Sequence, residues 1–389
     1  MSLDPLGPVS GGGGATIALP PASLRNVDED IRTAQTQFYS MAVERRVGAS
    51  SIVALEYSGA RGIHLYDIKN INMLGSGQAY LGQPFNGTFL TRVNQQYTGI
   101  NNRGSNGDSY YHGLNLRFQT QDIWKSGLSM IANYTFAHSI DDLSSTFSDN
   151  LQGASGGIGN LGYLDPRNPG LDRGNSDFDI RHRLVVSPIF ETPWFRQSNG
   201  LTHYLLGGYT FTSIFTARTG TPFGVFDSTN SVNAGGGFGW PRYVPGSAIN
   251  NYSTGTPVSV GVNSFNMLNL PVANTTVFNP TLGLSDFGPF PATMTHRNAF
   301  RGPGAWSLDL SAAKSFRIRE GMNLEFRAEG FNILNHHNFF VNGANLDVPN
   351  FGAGAPIQVL AKKGGLGTLA TGGNHDERRF GQFALRLHF

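Results

Sequence analysis

Phe380-Gly381-Gln382-Phe383-Ala384-Leu385-Arg386-Leu387-His388-Phe389 closes the chain, and its reading decides the fold. Side chains of an extended strand point to opposite faces with a period of two. Phe383, Leu385, Leu387 and Phe389 therefore share one face, and Gln382, Ala384, Arg386 and His388 share the other. Chain ends are ordinarily frayed and polar. An end that is a full amphipathic strand, finishing on an aromatic residue, suggests closure of a sheet with the apolar face toward lipid. The competing expectation is the last strand of a soluble sandwich.

The same alternation recurs upstream, and with the terminal strand it makes a set of about nine segments. Tyr39, Met41 and Val43 oppose Ser40, Ala42 and Glu44; Val53, Leu55 and Tyr57 oppose Ala54, Glu56 and Ser58. Leu114, Leu116 and Phe118 oppose Asn115, Arg117 and Gln119, and Met130, Ala132, Tyr134 and Phe136 oppose Ser129, Asn133 and Thr135. Around 183–190 the pattern is weak, and Pro188 marks a local break in pairing. Leu205, Tyr209, Phe211 and Phe215 follow, then Trp306, Leu308 and Leu310, then Met322, Leu324, Phe326 and Ala328. Segments of roughly ten residues, tilted by about 40°, span about 25 Å, the height of a barrel's apolar band. Sandwich strands are usually shorter, near five or six residues.

Connections alternate in length. Short turns are expected at 47–48, 122–126, 193–200 and 317–321, and long connections at 61–109, 139–180, 219–304 and 335–379, the latter with small hairpins of their own. Long loops are uncommon in compact soluble domains. Short periplasmic turns alternating with long extracellular loops are characteristic of outer-membrane barrels.

Composition points the same way. Of 389 residues, 14% are charged, 12% are aromatic and 51 are glycine, against about 25% charged and about 7% glycine in average soluble domains. A net charge of +2 gives no argument for nucleic acid, and the absence of cysteine excludes a disulfide framework or a thiol nucleophile. No run approaches the ~18 apolar residues of a membrane helix, so a membrane form has to be a closed barrel. Residues 1–23 carry no Lys or Arg and no hydrophobic core of a secretory signal, so the chain is expected to be a piece of a longer protein.

Chemistry is weakly signalled. Asp177, Asp179 and His182 are read as an exposed loop-to-strand junction with solvated charges in preference to metal ligands. His336 and His337 are read as a strand end. Asp141, Asp142, Ser144 and Ser145 lack the full spacing of a calcium loop. No nucleophile elbow or phosphate loop is present. No cofactor, metal or catalytic residue is expected, and the chain is not expected to be an enzyme. The row Glu325, Arg327 and Glu329 is more informative. Alternate charges on one strand face have to meet a wet lumen or a plug, because lipid exposure is costly. Arg117 and Arg386 share that inward assignment.

Several stretches resemble the C-terminal barrel of TonB-dependent outer-membrane receptors, especially the Oar-like subgroup. They are residues 37–46 with Ser58-Gly59-Ala60-Arg61-Gly62, Asn133-Tyr134-Thr135-Phe136, Ser176-Asp177-Phe178-Asp179-Ile180-Arg181-His182-Arg183, Ala217-Arg218-Thr219-Gly220-Thr221-Pro222-Phe223, Arg301-Gly302-Pro303-Gly304, Phe331-Asn332-Ile333-Leu334-Asn335-His336 and the terminal strand. The resemblance implies a barrel of the roughly 22-stranded type with a plugged lumen, energised by the TonB complex to move a bulky substrate.

The expected architecture is all-β: a long antiparallel meander of outer-membrane type, about nine to ten strands of that larger barrel, in the cell outer membrane with a periplasmic C-terminus. Residues 1–35 are expected to be an irregular extracellular loop of the parent, and 36–389 the C-terminal part of the barrel. Expected partners are outer-membrane lipid, a plug domain and further strands outside this chain. The barrel-assembly machinery is expected to engage the signal residues Phe383, Leu385, Leu387 and Phe389, and the TonB complex to act through a region N-terminal to this chain. Arg117, Glu325, Arg327, Glu329 and Arg386 are the lumen or plug-contact candidates. The alternative is a soluble or surface-attached β-sandwich, acting as an adhesin or glycan-binding module.

Overall fold

The computed structural model describes residues 22–72, 94, 96–144, 163, 169–195, 201–223, 226–227, 258–261, 264–270, 296–301, 304–319, 321–336, 338–341, 345–346, 357–363 and 379–389. Nine strands form one antiparallel meander: β1 (Gln35–Val47), β2 (Ser51–Asn70), β3 (Tyr97–Thr120), β4 (Leu128–Asp141), β5 (His182–Glu191), β6 (Tyr209–Arg218), β7 (Ala305–Arg319), β8 (Met322–Phe331) and β9 (Phe380–His388). Each pairs with its chain neighbours, and the path ends at β1 on one side and β9 on the other. Among the described residues the sheet does not close on itself, and both end strands are open edges.

The nine alternating segments of the sequence are these nine strands. Pro188, which has no N–H to donate, pairs with Met130 on β4, while the β5–β6 pairing skips from Val186 to Ile189 with its register unchanged. The tight turns use glycines in the left-handed region: Gly48 between β1 and β2 (φ 67°) and Gly321 between β7 and β8 (φ 74°).

Three elements depart from expectation. First, β2 and β3 run to 20 and 24 residues, converting much of the connection expected at 61–109 into strand. A bulge beside His64, whose φ is 56°, marks where the amphipathic part ends. Beyond it polar residues predominate and the few apolar ones, Ile68 and Ile100 among them, are buried without a regular period of two, so no alternation announces the extension. Second, Ala22–Val27, within the stretch expected to be irregular, is a strand paired parallel to β3. Its pairing depends on a partner about 75 residues away in sequence, which no local pattern reports. Third, Leu205 is not in β6. Leu201–Leu206 is a short helix, ended by Gly208 at φ 72°. The connection expected at 193–200 is correspondingly longer. The expected small hairpins do occur: Val258–Gly261 pairs antiparallel with Ser264–Leu270. The latter also pairs with Ile357–Lys363, joining two of the long connections in one small sheet.

Among the described residues only Ile68, Ile100, Ala137 and Tyr163 are buried hydrophobics, whereas Leu114, Leu116, Tyr134, Phe136, Phe211, Leu310 and Phe326 are each at least 37% exposed. A sandwich buries the inner face of each sheet against the other. Here, among the described residues, the apolar face extends over nine strands with no second sheet on it, whereas a typical soluble monomer exposes only small apolar patches.

Candidate functional site

Residues paired across antiparallel strands lie on the same face, so the register alone sorts the side chains. Leu55, Leu116, Tyr134 and Leu184 form one row across β2 to β5. Phe190, Phe211, Ala312, Ala328 and Phe383 form another across β5 to β9. Phe118, Leu310, Leu324, Phe326, Leu385 and Leu387 fall on this same apolar face. Arg117, Asn133, Thr212, Asp309, Glu325, Arg327, Glu329 and Arg386 fall on the opposite one.

The charged face is organised at its two edges. Arg117 on β3 reaches over Ala54 on β2 to Glu44 on β1, Nη2 to Oε2 2.9 Å. The small Ala54 leaves room for the contact. Both partners are about half exposed, so this pair stabilises the fold by no more than ~1 kcal/mol. On β8 Arg327 stands between Glu325 (2.8 Å) and Glu329 (3.7 Å). Across on β9, Arg386 is directly opposite Glu325, Gln382 donates to Glu329, and His388 Nε2 lies 3.8 Å from Glu325. Glu325, Arg327, Glu329 and Arg386 thus form one group, while Arg117 belongs to a separate pair at the far edge. Phe383 stacks on Phe326 at 6.0 Å, and Phe389 follows the strand, 92% exposed.

The apolar face carries aromatic belts at both ends. At the end bearing the long connections, Tyr57 bonds His112 Nδ1 at 2.7 Å, Tyr134 bonds His182 Nδ1 at 2.7 Å, and Trp306 stacks on His336 at 3.9 Å. Tyr39 lies over Gly59, where an added Cβ would come within 2.2 Å of the ring. At the short-turn end are Phe190 with Trp194, Tyr209 with Phe211, and Tyr204 with Phe316. Lys314, on the apolar face but only 6% exposed, donates to Leu205 O (3.1 Å) and Gly207 O (2.7 Å), capping the short helix. Its ammonium sits 4.0 Å from the centre of the Tyr209 ring. Aromatic girdles flanking an apolar band are the mark of a membrane barrel wall.

Beyond the long-connection end lies a buried ion network. Arg297, 5% exposed, pairs with the Asp141 carboxylate and donates to Asp172 O (2.9 Å), Asp141 O (3.0 Å) and Ser144 Oγ (3.1 Å). Burial pulls its guanidinium down to about 10, still charged at neutral pH. Asp179 accepts from Ser139 N at 2.7 Å and pairs with Arg301 and with Arg181. Asn175 and Asn298 each donate to the other's carbonyl at 2.8 Å. The network binds 296–301 to 172–181 and to the end of β4.

This corrects the reading of Asp179 as a solvated charge: it is 2% exposed, and the arginines that neutralise it there replace its water, while Asp177 is part-exposed and lies 3.7 Å from Arg297. His182 lies elsewhere, on the apolar face with Tyr134. Ser144 donates to Asp141 rather than framing a cation. Among the described residues no three His, Cys, Asp or Glu side chains are placed to hold a metal. Ser145 and His337 lie outside the described residues. Arg297 and Lys314 were not singled out from the sequence, since their partners lie more than 100 residues away.

An open antiparallel meander with one belted apolar face and one charged face defines a segment of membrane β-barrel wall. The profile of the outer membrane beta barrel domain matches residues 4–358, and the chain belongs to that family and to the outer membrane. No curated protein matches significantly. Among solved structures, the outer membrane transporter YddB from Escherichia coli is similar at 10% identity and a TM-score of 0.42, over 88% of this chain and 34% of that one. BauA, the ferric preacinetobactin receptor from Acinetobacter baumannii, is similar at 10% identity and a TM-score of 0.37, over 84% and 29%. The chain spans about a third of the length of these structures.

Proposed function

We propose that the chain is part of the wall of a transport barrel of the TonB-dependent receptor type, Oar-like in its motifs, through which a bulky substrate passes with energy from the TonB complex. The observation that carries this reading is the open nine-stranded meander whose charged face opposes a belted apolar one. Strands outside this chain complete the edges β1 and β9, because unpaired backbone groups are not tolerated in hydrocarbon. Arg117, Glu325, Arg327, Glu329 and Arg386 then line the lumen or meet a plug. Phe383, Leu385, Leu387 and Phe389 serve as the insertion signal read by the barrel-assembly machinery. The C-terminus lies in the periplasm, and residues 1–35 belong to the extracellular side. No catalytic step is assigned.

The chain has no cysteine, so single cysteines report accessibility cleanly. In vesicles, Glu325→Cys is expected to react with a hydrophilic maleimide, and Phe326→Cys to be protected. Equal labelling of the two, or a soluble monodisperse monomer without detergent, sinks the membrane-wall reading. Liposome uptake of substrate by this chain alone would contradict its role as one part of the wall.

A further inference from the structure

The apolar face is not uniform. Between the rings of Phe211 and Phe383 the floor is made of small residues, Ala312, Ala328 and Gly330. Gly330 is held small: an added Cβ would come 2.9 Å from Ile333 Cδ1, which packs beside it. The result is a groove of about 670 Å³ on this face, within the ~300–1,000 Å³ range of small-molecule sites. Its lining is almost entirely hydrocarbon. Of the two charged residues among its described lining, Glu329 is directed by the register to the opposite face, and Arg379 immediately precedes β9 at the long-connection end. Arg379 is exposed and outside the strand, with its backbone N–H directed at Asn335 Oδ1 (3.4 Å).

We infer that this groove seats an acyl chain of a membrane lipid whose anionic phosphate head group pairs with Arg379. The inference rests on the membrane reading above, which places the groove within the lipid-facing band. Charge complementarity selects the occupant. In a bilayer the hydrophobic effect does not distinguish a groove from the surrounding tails. Selectivity therefore comes from the shape of the floor and from the cation at its end. One surface cation favours an anionic head group by about fivefold.

The test uses the full chain in phosphatidylcholine nanodiscs containing equal traces of two probes with photoactivatable acyl chains, phosphatidic acid and phosphatidylcholine. Crosslinked peptides are mapped by mass spectrometry. Peptides of β7 to β9 are expected to take the phosphatidic acid probe about fivefold over the neutral one, while the peptide around Leu116 takes both equally. Arg379→Gln, at an exposed site outside the strands, is expected to equalise the probes at β7 to β9. Ala328→Phe, which fills the floor, is expected to remove label of both kinds there. Equal labelling at β7 to β9 in the parent chain, a preference unchanged by Arg379→Gln, or label persisting in Ala328→Phe overturns the inference alone. Absence of label from the whole apolar face overturns the membrane reading and this inference together.

Discussion

Arg297 shows how much a single side chain contributes at the long-connection end. Its guanidinium ties together Asp141, Asp172 and Ser144 in a nearly water-free site. Removing one partner of a buried pair leaves the other charge without compensation, which destabilises by about 3–5 kcal/mol. Arg297→Ala is therefore expected to raise hydrogen exchange at 139–144 and 172–181 by that amount of local opening energy, with the membrane strands unaffected. Arg297→Lys is expected to recover little, because one ammonium cannot serve several fixed acceptors. Asp142 adds a pH dependence. Burial, with smaller like-charge contributions from Asp108 and Asp172, pushes its carboxyl up to about 6 from 3.8. The folded state then binds more protons than the unfolded state between those values, so stability falls as pH rises from about 4 to about 6. Opening energies from exchange, corrected for intrinsic rates, should be larger at pH 4.5 than at pH 7. The difference should vanish in Asp142→Asn.

The terminal strand β9 tests the alternation directly. Leu385 pairs with Phe326 on the apolar face, and Ala384 pairs with Arg327 on the charged face. A lysine on the lipid face costs about 2–4 kcal/mol near mid-membrane, and far less on a wet face. Leu385→Lys is expected to impair insertion into vesicles by that amount, measured by denaturant titration in lipid, whereas Ala384→Lys inserts nearly normally. Reversal of that order would invert the assigned faces. The helix Leu201–Leu206 depends on Lys314 in the same local way. Lys314→Met removes the donor to Leu205 O and Gly207 O. Protection of 201–208 should fall while the β6–β7 ladder persists.

The whole molecule is governed by its two open edges. Among the described residues β1 and β9 each lack a strand partner along one side, and such edges recruit further strands or aggregate. Expression without detergent is expected to give insoluble chain. Co-expression with a complementary set of barrel strands is expected to give a detergent-soluble assembly containing both, seen by size-exclusion chromatography with light scattering. An unaided chain that closes into a sealed monomeric barrel would contradict this.

The nine strands, the partition of their side chains and the break at Pro188 were legible in the sequence. They depend on period-two alternation and on proline's missing donor, both local properties of the chain. Glu325, Arg327 and Glu329 were placed on one face for the same reason. The continuation of β2 and β3 beyond the amphipathic band, the parallel strand Ala22–Val27 and the Arg297 network were not legible. Arg297 meets Asp172 at a separation of 125 residues and Asp141 at 156, and nothing in its immediate neighbours reports either. The helix at Leu201–Leu206 was hidden for a related reason: a short apolar run fits a strand or a helix equally. Here a lysine more than 100 residues away caps its end. Alternation decides which way a side chain points, but which distant groups share a water-free site depends on where the folded chain brings them.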